Sequence, residues 1–151
     1  MGDGNNVCHS LLVTGARVGA HVRVATPASY EPDAEIVAEA RRIARETRGK
    51  IELYRSPEEA VAGAQAVYTD VWASMGQEHE AAERAKILAP YQVNEALMSH
   101  AAPEAVFLHC LPAHRGGEVT NGVIDSPRSI VYDQAENRLH VQKAILLMLL
   151  R

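Results

Sequence analysis

The sequence predicts an α/β domain in which an open parallel sheet is flanked by helices on both faces, as in Rossmann-like folds. Short apolar segments alternate with segments of helical period along the chain, and repeated strand–helix–strand units pair their strands in parallel. The 151 residues, 47% of them hydrophobic, suffice for one core. No internal repeat, low-complexity tract or linker divides the chain. We therefore expect a single domain over residues 1–151.

Each element is predicted from local pattern. A helix over 32–47 places Ile36, Val37, Ala40 and Ile43 at helical spacing, and Ser56-Pro57 resembles an N-cap followed by a first-turn proline. Helices are also predicted over 5–18 and 133–150, and one begins at 57. Two more are predicted between 70 and 105. Strands are predicted at 21–25, 50–54, 66–69, 105–109 and 129–132.

The turn Gly2-Asp3-Gly4 should follow a strand, and only Met1 precedes it here. We therefore expect the first strand of the sheet to be largely missing. Because that strand would lie in the middle of the sheet, its loss puts the independent stability of the domain in question.

Composition excludes several classes of function. The net charge is -4 and no basic run exceeds Arg41-Arg42, so no nucleic-acid surface is expected. The apolar run over 145–150 is far shorter than the roughly 20 residues that span a membrane. Two cysteines, Cys8 and Cys110, without framework spacing or a secretion signal, indicate a reducing, cytoplasmic setting.

The stretch after the fourth strand is the densest in reactive side chains. His109, Cys110, His114 and Arg115 lie within seven residues at a strand's carboxyl end, where open α/β sheets place ligands. A zinc site would need four ligands, so no metal is expected. A Cys–His nucleophile pair would need a third, orienting group, which is not evident. Cys110 could equally be a small core residue. The Leu111-Pro112 bond is a candidate for cis geometry.

Three further residue groups have a functional and a structural interpretation. Asp70, at the end of a predicted strand, could pair with an ammonium group or cap a loop. The segment 2–6 could hold an anion at a helix start or be a turn with a cap. Val7 replaces the third glycine of a dinucleotide fingerprint, which disfavours nucleotide binding. Arg138 could contact a carbonyl or phosphate oxygen, or be a solvated helix residue.

Four segments together resemble the ornithine carbamoyltransferase family, in order and in spacing. They are Gly2-Asp3-Gly4-Asn5-Asn6, Asp70-Val71-Trp72-Ala73-Ser74-Met75-Gly76, His109-Cys110-Leu111-Pro112 and Glu136-Asn137-Arg138. The resemblance covers almost the whole chain, but only the second, ornithine-binding half of the family's chain. It implies a transferase that joins carbamoyl phosphate to the δ-amine of L-ornithine, giving citrulline and phosphate, without a metal or an organic cofactor.

The resemblance also implies residue roles. Asn6 would contact the ornithine α-carboxylate, and Asp70, Ser74 and the backbone of Met75 would hold the amino-acid end. The Cys110 thiol would lie beside the attacking δ-amine and the carbamoyl group, with Leu111 also in the substrate site. Arg138 would reach carbamoyl phosphate and stabilise charge on its carbamoyl oxygen. Cys110 and Arg138 are therefore the predicted catalytic residues.

The family's first half carries a Ser-Thr-Arg-Thr-Arg phosphate loop and a His-Pro-x-Gln segment, and builds most of its trimer. Neither string occurs in this sequence. We expect the chain alone to be inactive, and its apolar last helix, which in the family packs on the carbamoyl-phosphate domain, to promote self-association. A vestigial, non-catalytic amino-acid-binding domain and a transcarbamoylase for another amine stay open, as does a role in arginine synthesis or in ornithine breakdown.

Overall fold

The computed structural model describes residues 1–73 and 78–150, and it confirms the α/β fold class. The strands are β1 (His21–Ala25), β2 (Lys50–Tyr54), β3 (Ala66–Thr69) and β4 (Val106–His109). The helices are α1 (Asn6–Arg17), α2 (Ala34–Thr47), α3 (Pro57–Val61), α4 (Ala81–Leu88), α5 (Glu95–Met98), α6 (Asn121–Ile124) and α7 (Val131–Leu149). Two 3-10 turns, Glu78–Glu80 and Ala89–Tyr91, flank α4.

Side-chain caps mark the starts of α1, α2 and α3, whereas α7, the longest helix, begins without one. The Asn5 side chain accepts hydrogen bonds from the first-turn amides of α1, and Asp33 does the same for α2. Ser56 caps α3, whose first residue is Pro57, as predicted. These caps satisfy backbone N–H groups that the first helical turn leaves without partners, which explains the polar residue ahead of each apolar pattern.

The predicted single sheet is divided into two parallel pairs. β1 pairs with β2, and β3 pairs with β4. The start of the chain hydrogen-bonds to both pairs: Met1 N donates to Tyr68 O over 2.9 Å, and Gly2 N donates to Ala25 O over 3.0 Å. Met1 and Gly2 thus lie between the carboxyl ends of β1 and β3 and hydrogen-bond to both strands.

The predicted fifth strand at 129–132 is wrong. Ser129 makes an isolated bridge to Phe107, supported by bonds from Phe107 N to Arg128 O (2.8 Å) and from Ile130 N to Phe107 O (3.1 Å). The helix α7 then begins at Val131, two residues earlier than expected. An apolar segment this short fits a strand or a buried first helical turn equally well, and here Val131 is buried as helix.

The two larger apolar clusters of the core lie on the two strand pairs. One lies between α1, α2 and the first strand pair; its buried members are Leu12, Ala16, Val24, Val37, Ala40, Ile43, Ala44 and Ile51. The other joins α3, α5 and α6 to the second pair and to the start of α7; it contains Val61, Val67, Val93, Leu97, Met98, Phe107, Val119, Val123, Ile124 and Val131. A third, smaller cluster of Ala25, Ala60 and Tyr91 joins β1 to α3, so α3 packs against both strand pairs.

The last helix leaves the body of the domain. At 19 residues α7 is about 28 Å long, yet within it only Val131 is buried. Its apolar side chains from Leu139 to Leu149 are 49–76% exposed. Among the helices that the structure describes, none is both long and apolar enough to cross a membrane.

Candidate active site

The turn at the start of the chain has a shape that only glycine permits. Gly2 has a φ of +102°, a conformation rarely adopted by residues with a side chain. A Cβ atom on Gly4 would lie 2.2 Å from the backbone nitrogen of Pro32, so the two chain segments could not approach as they do. The turn delivers Asn5 to the start of α1, facing the end of β3.

Asp70 is the centre of the candidate site. It follows β3, and its carboxylate accepts hydrogen bonds from Asn5 Nδ2 (3.0 Å), Val71 N (2.8 Å) and Cys110 Sγ (2.9 Å). Three distant parts of the chain therefore converge on one carboxylate: the start of α1, the end of β3 and the end of β4. The carboxyl ends of parallel strands share an edge, where this fold class binds ligands.

The Cys110 thiol is a protonated donor in this site. Burial and the hydrogen bond to Asp70 raise its pKa to about 11, and burial next to the thiol raises the pKa of Tyr68 to about 12. The thiolate form that attacks as a nucleophile is therefore scarce near neutral pH. Nor does Cys110 pair with His109, whose two ring nitrogens are both engaged elsewhere.

A buried hydrogen-bond network around the Glu118 carboxylate shapes the loop after β4. His109 is fully buried; its Nδ1 accepts from Leu111 N (2.8 Å), which assigns the ring proton to Nε2, 3.1 Å from Glu118 Oε1. His114 N also donates to that oxygen, over 2.7 Å. Burial alone would raise the pKa of Glu118, but these hydrogen bonds hold it below its ordinary value. The expected cis bond at Leu111-Pro112 is confirmed.

Leu111 is held in a strained backbone conformation. Its φ is +58°, in the left-handed region, which costs a residue with a side chain about 1–2 kcal/mol. The hydrogen bond from its amide to His109 helps to offset that cost. The result is a fixed turn directly after Cys110, at the edge where Asp70 lies.

The helix α7 contributes a residue that braces both strand ends. Gln134 Oε1 accepts from His109 N (3.1 Å), and Gln134 Nε2 donates to the Tyr68 hydroxyl (3.1 Å). Arg138 is exposed and lies one helical turn further along, on the same face as Gln134. The predicted arginine therefore extends from the side of the helix that faces the site.

A buried arginine connects the first turn to the segment after β3. Arg84 is 7% exposed, pairs with Asp3, donates through Nε to Trp72 O (2.5 Å) and stacks 4.9 Å from the Tyr30 ring centroid. Burial raises the pKa of Asp3, although the Arg84 guanidinium opposes that rise. Arg84 was not among the residues singled out in the sequence.

The structure brings together part of the predicted site. Asp70, Cys110 and Leu111 lie together, whereas Asn6 is exposed at the first position of α1 and its neighbour Asn5 contacts Asp70. Ser74 and Met75 lie outside the described residues. Sequence reasoning missed the contacts of Asn5, Gln134 and Glu118. The N-cap position of Asn5 was the available signal, since a capping side chain must point back across the helix start.

The histidines do not assemble as metal ligands. His109 and His114 both approach Glu118, but His114 does so mainly through its backbone amide, and its ring is exposed. Over residues 1–73 and 78–150, no group of three or more His, Cys, Asp or Glu side chains has the arrangement of a metal site.

Comparison with known proteins identifies the family. Residues 1–149 match the family model described as aspartate/ornithine carbamoyltransferase, Asp/Orn binding domain. The chain belongs to this carbamoyltransferase family. The ornithine carbamoyltransferase of Thermococcus kodakarensis is 57% identical over 150 residues, which are 99% of this chain and 48% of that protein.

Solved carbamoyltransferases have the same fold over the matched part. The ornithine carbamoyltransferase from Pyrococcus furiosus superposes with a TM-score of 0.92 at 60% identity, covering 96% of this chain and 46% of that one. The anabolic ornithine carbamoyltransferase from Campylobacter jejuni superposes with a TM-score of 0.93 at 38% identity, covering 98% of this chain and 49% of that one. This carbamoyltransferase chain thus spans about half the length of its relatives.

Proposed function

We propose that this chain is the ornithine-binding half of an ornithine carbamoyltransferase and is inactive by itself. The observation that carries the proposal is the convergence of Asn5, Cys110 and the backbone of Val71 on the Asp70 carboxylate. An anion fixed by three donors at the shared edge of the strands suits an amino acid's ammonium group.

The surroundings of Asp70 fit the rest of an amino acid. The amide side chains of Asn5 and Asn6 lie at the N-terminus of a 12-residue helix, where N–H groups and the helix dipole favour a carboxylate. We propose that Asn6 contacts the α-carboxylate of ornithine. In the same proposal Asp70, Ser74 and the Met75 backbone hold its amino-acid end.

The proposed reaction requires a second site for carbamoyl phosphate. The neutral δ-amine of ornithine attacks the carbamoyl carbon, the bond to the phosphate oxygen breaks, and the amine loses a proton, giving citrulline and inorganic phosphate. Because Cys110 is protonated, its proposed role is to contact the reacting groups as a polar neighbour, not as a nucleophile. Arg138 would stabilise charge on the carbamoyl oxygen.

We further propose that α7 docks on a carbamoyl-phosphate domain, which would cover the exposed apolar side chains from Leu139 to Leu149. Trimer assembly would then depend largely on that other domain. Two unpaired cysteines are compatible with a cytoplasmic enzyme.

Ornithine binding tests the proposal directly. Titration calorimetry of the chain with L-ornithine should give saturable binding, and Asp70→Asn should weaken it about 10- to 100-fold, as expected for losing one charge-assisted hydrogen bond. Asp133→Asn, an exposed change on α7, is the matched control and should alter affinity less than twofold. Equal affinity in the Asp70→Asn and Asp133→Asn variants would refute the assigned site.

Citrulline formation separates the proposal from its alternatives. The chain should form no citrulline alone, and should do so when mixed with a separately produced carbamoyl-phosphate half of a relative. Activity by the chain alone would contradict the proposed division of sites. Ornithine binding without activity in the mixture would favour a non-catalytic amino-acid-binding domain. Turnover with a different amine would indicate a related transcarbamoylase.

A further inference from the structure

A chain of polar side chains joins α7 to the end of β3 through Cys110. The register of the second strand pair places Thr69 opposite His109, so Asp70 and Cys110 follow as the next opposed positions. Because side chains alternate along a strand, Tyr68 and Asp70 project to the same face as Cys110. The Cys110 thiol contacts both of them: its Sγ donates to Asp70 over 2.9 Å. Burial is the main cause of the raised pKa of Cys110, and a hydrogen bond with Tyr68 opposes that rise.

The orientation of the Gln134 amide is fixed by its two partners. His109 N can only donate, so the atom that it meets at 3.1 Å is the acceptor Oε1. The amide nitrogen Nε2 therefore faces the Tyr68 hydroxyl, at 3.1 Å, and donates to it. Turning the amide over would set Nε2 against the N–H of His109, and two donors facing each other would both lose a hydrogen bond.

The directions of the remaining hydrogen bonds follow from that orientation. A phenol oxygen that accepts from Gln134 still has its own proton, and the sulfur of Cys110 is its neighbouring acceptor. At the other end of the chain, the Asp70 carboxylate only accepts, so the S–H proton is directed to it. The hydrogen bonds therefore run in one direction, from Gln134 through Tyr68 and Cys110 to Asp70.

One lone pair of the Cys110 sulfur is left without a partner in this chain of hydrogen bonds. The thiol proton is committed to Asp70, and one sulfur lone pair receives the Tyr68 proton. The second lone pair can accept a further hydrogen bond, which makes the thiol a weak acceptor toward a bound molecule. Asp70 and Tyr68, both from β3 and its end, are the titratable groups that act on the thiol, and Gln134 on α7 is uncharged.

We propose that Tyr68 and Gln134 are positioning residues that orient the Cys110 sulfur, so that its free lone pair accepts an N–H of the substrate's δ-amine. This inference rests on the proposed function, in which ornithine binds with its δ-amine beside Cys110. An amine that donates one N–H to sulfur keeps its own lone pair for the carbamoyl carbon.

Gln134 has a second positioning effect. Its bond to His109 N ties the residue before Cys110 to α7, the helix that carries Arg138 one turn further along. The same side chain therefore relates the two predicted catalytic residues, Cys110 and Arg138, in space.

The pH profile of Cys110 alkylation tests the direction of the hydrogen bonds. Short iodoacetamide pulses between pH 8 and 11.5, followed by peptide mass spectrometry, give a midpoint that does not depend on how accessible the thiol is. Tyr68→Phe removes a donor that stabilises the thiolate, so the midpoint should rise and alkylation at pH 9 should slow at least threefold. Tyr132→Phe removes an exposed hydroxyl of α7 and should change that rate less than about 1.5-fold. An unchanged or lower midpoint in Tyr68→Phe would overturn the proposal.

A double-mutant cycle tests whether Gln134 acts through Tyr68. Gln134→Glu keeps an acceptor for His109 N but loses the donor to the Tyr68 hydroxyl, which then turns to the new carboxylate and away from Cys110. The midpoint should rise at least as much as in Tyr68→Phe. In the Tyr68→Phe background the further rise should be less than half as large, because the hydrogen bond to Cys110 is already gone. Gln142→Glu, an exposed change on α7, controls for the added charge and should leave the midpoint unchanged. Equal rises in both backgrounds would overturn the role assigned to Gln134.

Two amino acids test the contact with the substrate. L-norvaline has the side chain of ornithine without the δ-amine. In titration calorimetry, Tyr68→Phe should weaken binding of L-ornithine at least threefold and that of L-norvaline less than about 1.5-fold. Equal weakening for both amino acids would overturn the proposed contact with the δ-amine. Absence of ornithine binding by the parent chain would refute the proposed function and with it that contact, whereas the alkylation midpoints decide separately whether Tyr68 and Gln134 orient the thiol.

Discussion

Replacing Glu118 with glutamine isolates the effect of a buried charge beside the site. The side chain of Glu118 is almost completely buried, and its Oε1 accepts both from His109 Nε2 and from His114 N. Glutamine keeps an oxygen at that position, so both hydrogen bonds can persist without the charge. A charge-assisted bond contributes about 1.5–3 kcal/mol and a neutral one about 0.5–1.5 kcal/mol, so two bonds should lose about 2 kcal/mol in total.

The stability lost in Glu118→Gln should depend on pH, and it should be larger at neutral than at acidic pH. The pKa of Glu118 is lowered by folding, so its charge stabilises the fold above the ordinary value of 4.5. That contribution disappears as the pH falls through the lower pKa of the folded state, where both proteins carry a neutral side chain at position 118. The stability difference between the parent chain and Glu118→Gln should therefore narrow below about pH 4.5.

Urea unfolding at pH 7 and at pH 3.5 measures this difference. Glu104→Gln, an exposed change of the same kind, is the control and should shift stability by less than about 0.5 kcal/mol. A loss of stability below about 0.5 kcal/mol for Glu118→Gln at pH 7 would refute the stabilising role of the Glu118 charge. An equal loss at both pH values would show that shape, not charge, is responsible.

Three more changes probe other parts of the structure. Gly4→Ala should lower the free energy of unfolding in urea by about 3 kcal/mol, because its Cβ would lie 2.2 Å from Pro32 N. Gly63→Ala has no atom within 4 Å of its Cβ, but the φ of +67° strains an alanine there, so its cost should be about 1–2 kcal/mol. Iodoacetamide labelling of Cys110, followed by peptide mass spectrometry, should accelerate steeply as the pH approaches about 11, and Asp70→Asn should lower that midpoint. Leu149→Glu in α7 should reduce self-association in sedimentation velocity; a parent chain that is monomeric at high concentration would contradict this.

The spacing of apolar residues, together with the turn and cap residues between segments, predicted most of the fold. The strands at 21–25, 50–54 and 66–69 have the predicted bounds, because each is a short apolar or alternating segment between clear turn or cap residues. The pattern of segment 129–132 could not distinguish a strand from a helical turn, because four residues are too few to show a helical period.

The candidate site was predictable where it follows strand ends. Asp70 and Cys110 end neighbouring parallel strands, so their proximity follows from topology. The roles of Gln134 and Arg84 could not be predicted from strand ends, because each is a common residue type in helices. The packing of their helices brings Gln134 to His109 N and Arg84 to Trp72 O. The tautomer of His109 likewise depends on the Leu111 amide, a contact created by the turn itself.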